Sequence, residues 1–212
     1  MGFIGRRSFN AIVAALSLSR TALAGGEPVE EKSPSPESFV LSRNGWVPNN
    51  EDLPVILYRA VFEPRRRDPA SHLEELFQRN GWPAQWRNGI YSFHHYHSTA
   101  HEALGIAKGE VTVILGGPDG KEFTLAVGDI VALPAGTGHK RISKRGGLLV
   151  IGAYPPGQRW DLIREEPEKK AAAVARIARV PLPESDPVLG GGGPLVRIWR
   201  DGARSACGQV RA

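Results

Sequence analysis

Residues 89–109 read GIYSFHHYHSTAHEALGIAKG, and this stretch decides how the rest of the chain is interpreted. It holds closely spaced histidines and a glutamate, and a second segment, GDIVALPAGTGH at 128–139, ends in a further histidine. The candidate ligands are His95, His97, Glu102 and His139. Three imidazoles and one carboxylate form a ligand set that transition metals accept. The two segments therefore predict a metal site.

The spacing of these residues suits β-strands. His95 and His97 are two positions apart, so on a strand both side chains point to the same face. Glu102 follows a four-residue turn, STAH, and shares its parity with Leu104 and Ile106. An inward-facing Glu102 would then lie in an otherwise apolar row. Buried carboxylates are rarely left unpaired, and a metal ion would balance this one.

Two nearby histidines are weak evidence alone, because a strand histidine is most often a surface or hydrogen-bonded residue. The spacing of the whole stretch is more specific. Gly89, His95, His97, Glu102 and Gly109 are separated by five, one, four and six residues. This is the spacing of the first motif of the cupin superfamily, and the chain resembles a cupin throughout it.

The second segment extends the resemblance. Gly128, Pro134, Gly136 and His139 follow the second cupin motif, although Ser143 stands where that motif has Asn. The resemblance implies an all-β fold, the cupin double-stranded β-helix or jelly-roll barrel, with one or two short helices and loop extensions. It also implies that the four candidate ligands hold one divalent transition metal.

Further segments are similar to the YjlB-like branch of the superfamily. They are PNNEDLPVILYR, NGWPAQWRNGIYSFHHYHSTAHE, LPAGTGHK, GAYPPGQRWDL and RVPLPESDP. Together they cover roughly residues 39–200. The resemblance supplies a fold and a metal site, and it names no substrate.

Turn residues divide the chain into short strands of the kind found in barrels. The predicted strands are 55–62, 90–97, 101–108, 110–115, 121–126, 129–133, 139–143 and 147–154. Asp68 and Pro69 predict the start of a helix that stops at Asn80 and Gly81. An alanine-rich stretch predicts a second, short helix over 168–179.

Residues 1–24 have the three regions of a cleaved signal peptide. Arg6 and Arg7 precede Ser and Phe, which favours the twin-arginine export route and a periplasmic or otherwise exported protein. An ordinary Sec signal is the alternative. The apolar run 10–18 is too short to span a bilayer, so no stable membrane span is expected.

The rest of the chain divides into three parts. Residues 25–38 are rich in Pro, Ser and Glu and predict a flexible linker. Residues 39–189 are expected to form a single cupin domain, and residues 190–212 a loose C-terminal tail. Cys207 is the sole cysteine, which excludes an intramolecular disulfide.

The net charge does not predict a nucleic-acid interface. The formal charge is +5, but residues 1–24 carry three arginines and no acid, so the remainder carries +2. The densest basic cluster, Arg65–Arg67, lies between two prolines and predicts a solvated loop.

Several residues near the motifs have no assigned role. Tyr91 and Phe93 share the parity of the motif histidines and are expected to line the same cavity. His101 faces away from Glu102 and is left out of the ligand set. Arg159 and Trp160 lie on a loop that is either packed structurally or in contact with a substrate.

Two functional classes remain open. Open coordination positions on Fe, Mn, Zn or Ni would suit an oxygenase- or oxidase-type enzyme acting on an oxygen-rich small molecule. The alternative is a non-catalytic barrel that binds a metal or a small ligand. A homodimer through residues 39–62 is expected from the resemblance.

Overall fold

The computed structural model describes residues 35–209, with side chains as far as Ser205. The predicted signal peptide and most of the predicted linker lie outside the described residues. The strands are β1 Glu37–Phe39, β2 Val55–Tyr58, β3 Ala84–Asn88, β4 Glu102–Leu115, β5 Lys121–Ala126, β6 Ile130–Leu133 and β7 His139–Ala153. The helices are α1 Pro69–Arg79, α2 Lys170–Ile177 and α3 Pro194–Gln209, and a 3-10 turn, Pro167–Lys169, precedes α2. Within this part of the chain, no helix is long and apolar enough to cross a membrane.

The strands form one antiparallel sheet in the order β1-β2-β6-β4-β7-β3, with β5 added to β4. The long strand β4 pairs with β6 near its start and with β5 near its end, while β7 pairs with both of its halves. One strand with different neighbours at its two ends curls the sheet into a half-barrel. The prediction of an all-β barrel-type fold is confirmed, although three helices accompany the sheet in the described part of the chain, where one or two short ones were expected.

A bulge in β4 changes which residues face the interior. Leu104 and Ile106 point inward before it, whereas Val111 and Val113 point inward after it, so the inward parity changes from even to odd. The register with β7 shifts on both sides of Lys108, next to Gly109. Such a shift is what an extra residue in one strand produces.

The sheet has an apolar layer on each face. In β2, Val55 and Leu57 pack inside the curl, and Ile56 and Tyr58 pack outside it. This alternation is the period-2 pattern of a strand buried on both faces. The outer layer is covered by α1 and α3.

Helix α1 forms where the sequence predicted it. The Asp68 carboxylate accepts a hydrogen bond from the Ser71 N–H at 3.2 Å, which caps the helix. Leu73, Leu76 and Phe77 are buried against the sheet, as expected.

The predicted loose tail 190–212 is wrong for the described residues, because Pro194–Gln209 forms helix α3. Leu195 and Trp199 are fully buried, and the Trp199 indole N–H donates to the Pro54 carbonyl at 2.8 Å. The preceding glycine run suggested a disordered segment but ends at a helix start with Pro in its first position. The side chain of Cys207 lies outside the described residues.

Three other predictions need correction. Residues 90–97 form isolated bridges through His95 and Tyr96 instead of a strand. The strand in this part of the sequence is β3, which ends just before them at Asn88. The predicted strands 101–108 and 110–115 are one strand, as are 139–143 and 147–154, because glycine bulges bend these strands without ending them. Residues 37 and 38 of the predicted linker belong to β1.

Candidate metal centre

His95 and His139 face each other across a short backbone bridge. The His95 N–H donates to the His139 carbonyl at 3.2 Å, and the His139 N–H donates to the His95 carbonyl at 2.9 Å. The two imidazole ring centroids are 4.0 Å apart. The Gly136 N–H donates to the His97 carbonyl at 2.8 Å, which ties His97 to the loop that leads to His139.

Each of the three imidazoles is oriented by a hydrogen bond from Nδ1 to a backbone carbonyl. His95, His97 and His139 donate to the carbonyl oxygens of Phe93, Asp161 and Thr137, respectively. The first and last of these bonds are 3.2 and 3.0 Å long. An acceptor at Nδ1 assigns the proton to that nitrogen and leaves Nε2 with a free lone pair. This arrangement is typical of metal-binding histidines.

The three histidines form one buried group. Their potential ligand nitrogens all lie within 4.8 Å of one another. Burial, together with the neighbouring His139 and His97, lowers the pKa of His95 to about 2. His95 is therefore neutral near pH 7, which is the form that binds a metal.

Glu102 adjoins this group without belonging to it. It is the first residue of β4 and is 2% exposed. Its Oε2 lies 3.3 Å from His139 Nε2 and 3.5 Å from His97 Nε2. Among residues 35–209, this oxygen has no hydrogen-bond partner. The other oxygen, Oε1, accepts a hydrogen bond from the Tyr154 hydroxyl.

The donor set fits a divalent cation. An imidazole that carries its proton on Nδ1 has a lone pair on Nε2. Here the Nε2 lone pairs face a carboxylate oxygen, and these groups repel one another unless a positive charge lies between them. Burial raises the pKa of Glu102, but His97 and His139 lower it by more, so the carboxyl is ionised. Burial lowers the pKa of His97, but Glu102 and Asp161 together raise it by more. A proton on His97 is therefore the alternative to a metal ion.

Tyr154 and Trp86 form a hydrogen-bond chain that fixes the Glu102 carboxylate. The Trp86 indole N–H donates to the Tyr154 hydroxyl at 2.9 Å, and that hydroxyl donates to Glu102. Burial and the charge of Glu102 raise the pKa of Tyr154, so it remains a donor. Gly152 makes room for Trp86, because a Cβ at this position would lie 2.0 Å from the indole ring.

Asp161 holds His97 through its main chain. Its carbonyl accepts the His97 Nδ1–H, while its carboxylate accepts from the Ser98 N–H at 2.6 Å and the Ser98 hydroxyl at 2.5 Å. Arg176 of α2 lies 3.7 Å from the same carboxylate. Asp161, Trp86 and Tyr154 were not predicted as part of the site, because nothing in their local sequence marks these long-range contacts.

A cavity of about 220 Å³ opens onto the three histidines and Glu102. Tyr91 and Trp160 line it, as does Tyr154. Phe93, which was expected in the lining, instead stacks on Tyr91 with ring centroids 4.8 Å apart.

His101 and Arg159 lie outside this cavity. His101 is buried on the other side of β4, where its Nδ1 accepts the Ala135 N–H at 3.0 Å and its ring packs against Trp199. Burial lowers the pKa of His101 to about 3. The Arg159 side chain is exposed, and its carbonyl accepts a hydrogen bond from the Thr99 hydroxyl. Both residues have structural contacts.

Comparison with known proteins identifies relatives of the chain. No model of a protein family matches it. The uncharacterized protein YjlB of Bacillus subtilis (strain 168) is 32% identical over 163 residues, which cover 77% of this chain and 96% of YjlB.

Two solved structures are similar over part of the chain. Acireductone dioxygenase from Bacillus anthracis, with a cadmium ion in its active center, has a TM-score of 0.33 and 16% identity over 44% of this chain and 63% of that protein. A DUF861 family protein from Thermotoga maritima has a TM-score of 0.27 and 27% identity over 41% of this chain and 92% of that protein.

The curled antiparallel sheet and the histidine group inside it are those of a cupin-domain protein with a candidate metal centre. The similarity to YjlB extends over nearly all of that protein. The chain belongs to the YjlB family of cupin-domain proteins.

Proposed function

We propose that His95, His97, His139 and Glu102 hold one divalent transition metal, and that the protein is a metal-dependent enzyme of the oxygenase or oxidase type acting on an oxygen-bearing small molecule. One observation carries the proposal. Three imidazoles, each anchored through Nδ1, lie beside a carboxylate oxygen that has no hydrogen-bond partner in the described part of the chain, and all four groups line one cavity.

A bound metal would polarise substrate oxygens as a Lewis acid or exchange electrons with them. Three neutral imidazoles and one carboxylate offset one of its two positive charges. Fe, Mn, Zn and Ni all accept this donor set, and affinity alone would favour Zn over Mn or Fe. The donors use four positions, so an octahedral ion would have room for a ligand from the cavity.

The chain's own residues have defined tasks in this proposal. Tyr154 occupies Oε1 of Glu102, so the carboxylate presents only Oε2 toward the imidazoles. Oε2 would then be the carboxylate oxygen available to a metal held by the three histidines. The aromatic residues around the cavity limit the access of water.

The test is metal analysis of the purified protein and of the Glu102→Gln variant, followed by oxygen-uptake assays. Gln keeps the shape of the side chain and removes the one negative charge that offsets the cation, so metal content should fall and turnover should be lost. Glu122→Gln, on the exposed side of β5, is the control and should change neither.

The non-catalytic alternative gives a different result. A binding barrel would show no turnover with any metal. If Glu102 is a buried carboxylate without a metal, its replacement removes a desolvation cost, so the melting temperature should hold or rise. Unchanged metal content in Glu102→Gln would contradict the proposed enzyme.

A further inference from the structure

The walls of the cavity above the candidate metal centre are aromatic. Four aromatic side chains line it, counted within residues 35–209: Trp86, Tyr91, Tyr154 and Trp160. Tyr154 and Trp160 lie nearly parallel, with an interplanar angle of 20° and ring centroids 6.2 Å apart. Trp160 also meets the His97 ring edge-on at 5.5 Å. Flat surfaces therefore flank the space next to the histidines.

Two of these aromatic residues have open faces at the cavity mouth. Trp160 is 38% exposed and Tyr91 is 45% exposed. Single exposed aromatic residues are common on protein surfaces and need no explanation. Here two of them border one cavity whose floor carries the candidate metal ligands, so their free faces are available to stack on a planar molecule.

The cavity offers no cationic side chain to an anion. Among the described residues, no lysine or arginine lines it. The arginines beside its wall are bound elsewhere, Arg87 to Glu74 and Arg141 to the Ile90 carbonyl. Arg164 lies over the Phe93 ring, 4.1 Å from its centroid. A carboxylate or phosphate held away from the metal would therefore be buried without a partner, at a large desolvation cost.

The size of the cavity and the charge of the metal site limit further which ligands can bind. About 220 Å³ is below the range of roughly 300–1,000 Å³ typical of sites for drug-sized ligands, so one small ring fits better than a larger molecule. A divalent ion with three imidazoles and one carboxylate retains a charge of +1. One ionised ligand oxygen would neutralise it.

We infer that the cavity binds a small planar ring with two neighbouring hydroxyl groups and no further charge, of the catechol class. The inference that the ligand has two hydroxyl groups rests on the proposed function, because these oxygens would face the metal. The planar shape and the absence of charge rest on the cavity walls alone.

Three probe molecules test these two features separately. Catechol, cis-1,2-cyclohexanediol and protocatechuate are titrated against zinc-loaded protein, since zinc has no redox chemistry and the ligand is not consumed. The diol is close to catechol in size and oxygen spacing but is neither planar nor acidic, so the metal-free titration below isolates planarity, and protocatechuate adds one carboxylate. Catechol should bind at least tenfold more tightly than either. Equal affinity for catechol and either probe overturns the inference.

Variants locate the binding. Trp160→Ala should weaken catechol binding about tenfold and leave cyclohexanediol binding unchanged, whereas Trp160→Phe should retain most of the affinity because it keeps a ring. Trp46→Phe is the matched control, since Trp46 packs against Tyr96 outside the cavity. Melting temperatures confirm that each variant is folded. Catechol affinity that is unchanged in Trp160→Ala also overturns the inference.

The same titrations in metal-free protein distinguish this inference from the proposed function. Metal analysis alone decides whether a metal is held. If none is held, the proposed function fails, and the walls should still favour catechol over cyclohexanediol at least threefold. No preference in that experiment, including no binding of either compound, overturns the inference about the walls.

Discussion

At the scale of single residues, Asp161 acts on the histidine group through its main chain, while its side chain fixes that main chain. The carbonyl orients the His97 imidazole, and the carboxylate is held by Ser98 and faces Arg176. Burial raises the pKa of Asp161, but the hydrogen bonds from Ser98 and Thr99 and the charge of Arg176 together lower it by more. The residue therefore remains an anion near pH 7 that keeps its loop against His97.

We expect Asp161→Ala to weaken metal binding about tenfold. This is the lower end of the loss in metal affinity caused by mutating residues that hydrogen-bond to a metal ligand. The carbonyl remains in the variant, but the segment that carries it loses its anchor to Ser98. Competition with a chromophoric chelator measures the affinity. Asp119→Ala, in an exposed turn, is the control. Equal affinities in the two variants would show that the carboxylate plays no part in holding His97.

The four candidate ligands were predictable because their spacing is local to two short segments. The residues behind them were not. Tyr154 contacts Glu102 across 52 positions of sequence, and Asp161 contacts His97 across 64. Such contacts depend on how distant segments are brought together in the fold, and the identity of the residues themselves carries no sign of them.

At the scale of elements, the bulge in β4 lets one strand serve two parts of the sheet. Gly109 has φ +74°, and a Cβ there would lie 2.4 Å from the Arg145 carbonyl oxygen. The bend brings the first half of β4, with Glu102, beside β6 and the second half beside β5. The sequence indicated a break at this glycine, but a break and a bulge share the same signal. The continuation of the strand becomes visible only from its pairing with β7.

Gly109→Ala should therefore destabilise the fold. The left-handed conformation alone costs a residue with a Cβ about 1–2 kcal/mol, and the close contact with Arg145 adds to it. Urea unfolding followed by fluorescence measures the change. Gly191→Ala is the matched control, because no heavy atom lies within 4 Å of its added Cβ. Two variants of equal stability would mean that the bulge relaxes without cost.

At the scale of the whole molecule, three strands, β1, β3 and β5, each pair with a single neighbour among the described residues and so have one open edge. An exposed edge strand has unpaired backbone groups that can pair with another chain. The remaining apolar surface near β1 includes Val40, which is 53% exposed.

We expect a homodimer that uses residues 39–62. Light scattering at micromolar concentration should give twice the mass of the chain, and Val40→Lys should shift the protein toward monomer because it introduces a charge beside the edge. Ile142→Lys, at an exposed position of β7, should leave the mass unchanged. A monomer mass for the unmodified protein would contradict this prediction.

Export through the twin-arginine route is a second prediction at this scale. Replacing Arg6 and Arg7 with Lys should block the appearance of a mature protein that begins near Gly25. Mass spectrometry of the periplasmic fraction reads the result, with Arg65→Lys/Arg66→Lys as the conservative control. Export that survives the change at Arg6 and Arg7 would indicate a Sec signal.

One loop joins the two halves of the candidate site. Trp160 is one of the aromatic residues that line the cavity, and the next residue, Asp161, orients His97. A ring stacked on Trp160 would steady the same segment on which metal affinity depends. Thermodynamic linkage then requires reciprocity: the factor by which the metal strengthens ligand binding is the factor by which the ligand strengthens metal binding. Each would strengthen the binding of the other, both by their direct contact and through the segment Trp160–Asp161.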